Sequence, residues 1–496
     1  MSPLPTNPKQ LWPPSSVPTL DYAVWDEWYS GRFARPGSGL SSAPITTGSF
    51  PERLTGGYVH RHANLRDSSA TPGRPGSQSV HCPLAADIAQ VSADLVFGDM
   101  PSIAVANKPS QTRLDKLLDA MGIQNKLLEA AEPCAALGGA YLRVAWDTAV
   151  ADYPFISHVD ADQAVPEFRY GFLAAVTFWR EVAGDTQKGV VLRHLERYEE
   201  GKILHGLYRG DKSTLGYEIP LAGSPDTERL QLLVTLPAGL PHKMAAFYVP
   251  NVRPVQHNRK SALGRADISG AESDLDALDE VWSSLMRDFR LGQAHILTPS
   301  GTLSSNDPSS PRGAGKSLDL DREIFTEIDV PPEGMQPTVM QPDLRVESHV
   351  AAALALTREI VSKAGYSPQT YGIDVQGQAE SGTALRIREE KTYRTLARKR
   401  RYWETGLADG TEALLVIDRA KFGGKGKAMR PTITWPEEAM GAGEMASTVQ
   451  TLYSAEAASI KQRVKLVNPD WNDAKIEAEV LLIQKETGAL VPPPEF

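Results

Sequence analysis

The stretch 271-AESDLDALDEVWSSLMRDFRLGQAHIL-297 carries a long apolar seam, in which Leu275, Leu278, Trp282, Leu285 and Phe289 recur at helical spacing between flanking charges. A helix of this length needs a neighbour to bury that seam. The segment 344-LRVESHVAAALALTREIVSKAG-365 supplies one, with Val346, Val350, Leu354 and Ile360 on its apolar side. Residues 296–341 between the two read as loop and short strand. The pattern predicts a stalk of two long helices with a small β insert at its tip, and stalks of this kind pack against copies of themselves in rings. The acids of 272-ESDLDALDE-280 fall in the first turns of the first helix, where they complement its dipole without any call on catalysis.

Working outward, residues 1–20 are Pro-rich and read as an extended arm, followed by 22-YAVWDEWYSG-31, a short helix anchored by Trp25, Trp28 and Tyr29. Residues 34–80, rich in Gly, Ser and Pro, read as a linker. The segment 82-CPLAADIAQVSADLVFGDMPSI-103 predicts an amphipathic helix through Leu84, Ile88, Val91 and Leu95. A second helix is expected over about 111–138, then a strand at 140-AYLRVAWD-147. Residues 153–255 read mostly as strands, with a hairpin turning at Glu200-Gly201. Beyond the stalk, helices are expected over about 383–418 and 444–488, with a strand near 431–437. The order predicts a multi-domain α+β chain rather than a βαβ repeat.

The chain has 496 residues, enough for two to four domains, and a formal charge of −9. That balance argues against a protein whose whole surface wraps nucleic acid, though it leaves room for a local basic stripe. Two cysteines, Cys82 and Cys134, exclude a disulfide framework and fit a reducing compartment. The start, MSPLPTNPKQLWPP, lacks the basic-then-apolar order of a secretory signal, and no apolar run is long enough to cross a membrane.

One fragment, 310-SPRGAGKSLDL-320, resembles a phosphate-binding loop through Gly315-Lys316-Ser317. The position of the first required glycine holds Ser310, no buried strand precedes it, and 317–330 alternates like a strand where a helix is needed. Asp319, Asp321 and Glu323 lack the spacing of a calcium loop. His194, Glu196 and His205 on a hairpin could face one another, but no close-spaced ligand pair supports a metal. Neither H-E-x-x-H nor G-x-S-x-G occurs. The residues give no positive sign of an enzyme, a cofactor or a metal.

In 383-TALRIREEKTYRTLARKRRYW-403, Lys391, Arg394, Arg398 and Arg401 form one basic helical stripe, with Leu385, Thr392 and Leu396 on another face. Two readings of the stripe stay open: a track for a phosphate backbone, or a solvated face that pairs with acids of another subunit. The segment 365-GYSPQTYGIDVQGQAESG-382, with Gly365, Gly372, Gly377 and Gly382, reads as a loop rooted between rigid helices.

Taken in order, these segments resemble the portal proteins of tailed bacteriophages, of the siphophage type. The resemblance is carried by 82–103, 137-LGGAYLRVAWD-147, 166-PEFRYGFLAAVTFW-179, 193-RHLERYEEGKILHGLY-208, 263–288, 380–394 and 470-DWNDAKIEAEVLLIQKETG-488. It implies the portal fold: a mixed α/β wing (1–265 and 383–435), stem helices (266–296 and 343–364), a small α/β clip (297–342), a tunnel loop (365–382) and a helical C-terminal crown (436–496). It implies a ring of about twelve copies at one capsid vertex, closed by heterologous contacts. Such a ring passes double-stranded DNA during packaging and ejection. It docks the terminase large subunit, the major capsid protein, scaffolding protein and a head–tail adaptor. Assembly is expected in the host bacterial cytoplasm and residence in the virion, with no membrane and no cofactor. Asp374, Gln376, Gln378 and Glu380 would then lie on the tunnel loop, and Lys391, Arg394, Arg398 and Arg401 on the helix after it. Two other readings remain at this point: an adaptor or scaffold of another large assembly, and a nucleotide-binding enzyme using Gly315-Lys316-Ser317.

Overall fold

The computed structural model describes residues 4–31, 80–182, 189–292, 343–373, 382–436, 442–468, 471 and 473–486, and short strands at 295–297, 304–306, 315–317 and 338–340. In chain order the helices are α1 (Thr19–Ser30), α2 (Leu84–Phe97), α3 (Lys108–Ala120), α4 (Ile123–Leu137), α5 (Glu272–Leu291), α6 (Val346–Ala364), α7 (Gly382–Lys421), α8 (Ala442–Ser454), α9 (Ile460–Val467) and α10 (Asp473–Glu486). The strands are β1 (Ser102–Ala104), β2 (Gly139–Ala145), β3 (Phe155–Asp160), β4 (Ala164–Arg169), β5 (Phe172–Glu181), β6 (Val191–Glu199), β7 (Lys202–Gly210), β8 (Tyr217–Ile219), β9 (Leu233–Thr235), β10 (Ala246–Pro250), β11 (His295–Leu297), β12 (Ser304–Asn306), β13 (Gly315–Ser317), β14 (Thr338–Met340) and β15 (Thr432–Thr434). The chain divides into two compact units: Met1–Ala23 with Ile88–Asp267 and Ala364–Phe496, and Val24–Asp87 with Ile268–Lys363.

In the first unit, β10, β2 and β3 form an antiparallel sheet in that order, on which α4 and α7 pack. Strand β2 buries Ala140, Tyr141, Leu142 and Val144. They share one core with Leu127 and Cys134 of α4 and Trp403, Leu407 and Leu414 of α7. A larger sheet runs β4-β5-β6-β7-β8, with β9 also on β7. Its central hairpin has the expected two-residue turn at Glu200-Gly201, with Glu199 opposite Lys202. The single helix expected over 111–138 is two helices. Gly122 takes a left-handed φ of 60° at the start of α4 and ends the run begun by α3. The Pro-rich arm is docked: Leu4 and Trp12 are buried with Leu195, Tyr208 and Leu215, and the Tyr208 hydroxyl donates to Pro5 O at 3.0 Å. Further on, the Ser459 side chain caps α9, accepting from Gln462 N, and Lys461 of α9 pairs with Glu477 of α10 at 2.8 Å.

In the second unit, Trp25 and Trp28 of α1 are buried, and Trp25 Nε1 donates to Glu272 of α5 at 3.2 Å. Helices α5 and α6 run antiparallel, with ion pairs at both ends. Lys363 meets Asp274 at 2.5 Å, while Asp288 accepts from Arg345 at 2.9 Å and lies 3.1 Å from His349 Nε2. Those two partners hold the Asp288 carboxyl below its usual range. Strands β11 and β14 pair with each other, as do β12 and β13.

Candidate functional site

The chain leaves its first unit at Asp267 and re-enters it at Ala364. One buried polar cluster within that unit pins both places. Lys399 of α7 places its Nζ 2.6 Å from the Asp267 carboxylate, 2.9 Å from the Tyr366 hydroxyl and 2.5 Å from Ser92 Oγ. Tyr366 donates to the same Asp267 oxygen at 2.9 Å, and Asn251 Nδ2 donates to the other at 2.7 Å. The side chains of Lys399 and Asp267 are 2% and 1% exposed, so a charged pair sits out of water with its hydrogen bonds met by three further side chains. Burial, then the negative Asp267, pushes the Tyr366 phenol well up. The same surroundings bury Cys134, whose thiol burial raises to about 12.

From this cluster the start of the segment 365–382 is tied to α7 residue by residue. Thr395 Oγ1 donates to Gly365 O at 2.7 Å, Ser367 N donates to Thr392 Oγ1 at 2.9 Å, and Thr370 Oγ1 lies 2.9 Å from Thr392 Oγ1. Gly365 has φ 98°, and a Cβ there would stand 2.8 Å from Thr395 Oγ1, so this contact needs glycine. Asp374, Gln376, Gln378 and Glu380 lie outside the described residues. Gly382–Lys421 continues as one helix of 40 residues.

Two faces of α7 are then distinct. Thr392, Leu396, Lys399, Trp403 and Leu407 are buried, at steps of four, three, four and four. Lys391, Arg394, Arg398 and Arg401 are exposed on the other side, with Arg394 reaching Glu390 at 2.6 Å. The buried lysine was not singled out from sequence, because 398-RKRR-401 reads as a surface charge run. The available signal is its place in the apolar series Thr392, Leu396, Lys399, Trp403.

On α5 the seam residues Leu275, Leu278 and Leu285 are buried, Trp282 is half-buried and Phe289 is 42% exposed. Of the contributors expected on α6, Ile360 is buried while Val350 and Leu354 are exposed, and Ala353 and Val361 are buried beside Ile360. The buried face of α6 therefore keeps Ile360 but takes in Ala353 in place of Val350 and Leu354, and the small Ala353 side chain leaves room for a close neighbour. The acids at the start of α5 have closer duties than the helix dipole alone. Asp279 accepts from Cys82 N and faces His81 Nδ1, both at 2.8 Å.

The histidine pair on the large sheet is turned to itself. The rings of His194 and His205 stack at 5.3 Å, with Nε2 of the first 3.2 Å from Nδ1 of the second. Glu196 faces Arg143 and accepts from the Tyr198 hydroxyl at 2.8 Å. Burial drives His194 down to about 4 and His205 in the same direction. Among the described residues, no group of three or more His, Cys, Asp or Glu is placed to hold a metal. Gly315-Lys316-Ser317 forms β13, antiparallel to β12, with Lys316 opposite Ser305. A phosphate loop instead needs these residues to open a helix. Asp319, Asp321 and Glu323 lie outside the described residues.

A stretch of 384 residues, 58–441, matches the family described as "Phage portal protein, SPP1 Gp6-like". The chain belongs to that family. It is a structural portal protein, and its place is the virion. No curated protein sequence matches the chain. Solved structures with a distant likeness include a chain from the virion of a native gene transfer agent (GTA) particle. It shows 10% identity over 90% of this chain and 98% of that one, with TM-score 0.41. A chain from the neck of the native GTA particle, computed with C12 symmetry, shows 10% identity over 84% and 98%, with TM-score 0.40. The family assignment rests on the sequence match. For the portal protein, that match takes in α5, α6, the segment 365–382 and all of α7. No described helix of the portal protein is long and apolar enough to cross a membrane.

Proposed function

We propose that this chain closes into a ring of about twelve copies that conducts double-stranded DNA into and out of the virion. The observation that carries the reading is the continuous match of residues 58–441 to the portal family. In this reading the segment 374–380 lines the narrow part of the channel. Asp374 and Glu380 repel phosphate there, while Gln376 and Gln378 make weak, exchangeable contacts. A channel must let DNA slide, so a mildly acidic chain with one tethered loop suits the task better than a uniformly basic bore. The ties from Thr392 and Thr395 to residues 365–370 support this, because a loop can move usefully only if its root is fixed.

The exposed Lys391, Arg394, Arg398 and Arg401 pair with acids of the neighbouring copy, since strong cation–phosphate contacts right beside the narrow part of the channel would slow DNA transit. Exposed Phe289, Val350 and Leu354 complete stem packing across the ring. The ring docks the terminase large subunit, which supplies the ATP-driven step, together with the major capsid protein, scaffolding protein and a head–tail adaptor. The chain itself uses no nucleotide. Dividing the native mass of the purified particle by the chain mass tests the reading: a ratio near twelve is expected, and a ratio of one at all concentrations contradicts it.

A further inference from the structure

From Arg419 to Arg430 the sequence 419-RAKFGGKGKAMR-430 holds five cations and no acid, in a chain whose formal charge is −9. The structure fixes this loop from behind. Asp418, at the end of α7, is 2% exposed and held in a bidentate grip by Arg113 of α3, with Nε–Oδ2 at 2.9 Å and Nη2–Oδ1 at 2.6 Å. The Asp418 carbonyl accepts from Phe422 N at 2.9 Å and from Gly424 N at 3.2 Å. At the far side, Ser110 Oγ donates to Lys427 O at 2.9 Å. Two of the five cations are engaged within the unit: Lys421 lies over the Trp146 ring, and Arg430 pairs with Asp409. Arg419, Lys425 and Lys427 are exposed, as is Lys108 at the start of α3 beside Ser110. A backbone held at both ends displays these charges without having to be ordered when a partner arrives.

We infer that the loop Arg419–Arg430 is a contact surface for the phosphate backbone of double-stranded DNA, separate from the segment 374–380. The inference rests on the reading that this chain handles DNA. An acidic protein segment would also answer the charge, but a protein partner needs an apolar anchor at its centre. Among the described residues, none of the large exposed apolar side chains falls within 105–116 or 415–430. Charge without an apolar anchor suits a partner read by its phosphates alone.

The test is fluorescence anisotropy of two short duplexes of unrelated sequence and of poly-glutamate, titrated with the purified full chain at several salt concentrations. The wild type and the triple variant Arg419→Ser/Lys425→Ser/Lys427→Ser are compared. Both duplexes should bind with equal affinity, poly-glutamate should bind far more weakly, and the triple variant should flatten the slope of log K against log salt by about 3. Lys425→Ser alone removes one exposed charge without touching the clamps, and should flatten the slope by about 1. Slopes equal to wild type, no duplex binding by the wild type, or patch-dependent binding of poly-glutamate in preference to DNA would each overturn the inference. The same preparations are viewed end-on by electron microscopy. Open rings with an unchanged slope sink the loop assignment and leave the conduit standing, whereas absence of rings counts against the conduit.

Discussion

The Nζ of Lys399 lies 2.6 Å from the carboxylate of Asp267, 132 residues away in sequence, and neither side chain reaches water. Removing one member of such a pair is costly because the other stays buried and charged. Lys399→Met should cost about 3–5 kcal/mol in urea unfolding, and Lys399→Met/Asp267→Leu should recover much of it. A single variant as stable as wild type would mean that water reaches Asp267.

Acid should weaken the large sheet through its histidine pair. His194 and His205 are held below the ordinary value of 6.5, first by burial, with Arg143 opposing and Glu196 favouring the charged form. The unfolded chain therefore binds protons that the folded chain refuses. Stability is intact above about pH 6.5 and falls as the pH drops toward 4, by at most about 1.4 kcal/mol per pH unit for each ring. His194→Gln/His205→Gln should flatten that fall in thermal melts between pH 6.5 and 4. An equally steep fall in the double variant would assign the acid sensitivity elsewhere.

The histidine pair and the Lys399 cluster differ in how far the sequence discloses them. The strand alternation and the Glu200-Gly201 turn were legible in 190–208, so the hairpin bearing both histidines was expected, although their stacking on each other was not. Helices α5 and α7 were legible because the 3.6-residue period of Leu275, Leu278 and Leu285 or of Thr392 and Leu396 needs no tertiary information. The place of Ala353 on the buried face of α6 was not, since it looks no more buried in sequence than Ala351 or Ala352. Lys399 was hidden among cations, and only its distant partners Asp267, Tyr366 and Ser92 give it a buried role. Long-range pairing of this kind leaves no local period to read.

The apolar seam of α5 should separate folding from assembly. Leu278 is fully buried, and Leu278→Ala should cost about 2–5 kcal/mol and lower the melting temperature. Phe289 is 42% exposed in the single chain, so Phe289→Ser should barely change the melt while weakening ring formation. If Phe289→Ser rings form normally on a sizing column, this residue takes no part in subunit contact.

Charge reversal on α7 and shortening of the loop before it should fail in different ways. Arg394→Glu/Arg398→Glu alters exposed side chains, so the chain should fold yet lose rings. Deleting 374–379 should spare rings and impair packaging or DNA retention. Intact rings in the first variant together with lost rings in the second would show the two roles assigned the wrong way round.

End-on electron-microscope class averages of the purified full chain should show a closed, rotationally symmetric particle with a hole at its centre, wide enough for a DNA duplex. Particles that remain single chains at every concentration, or closed assemblies with a filled centre, would contradict the open ring.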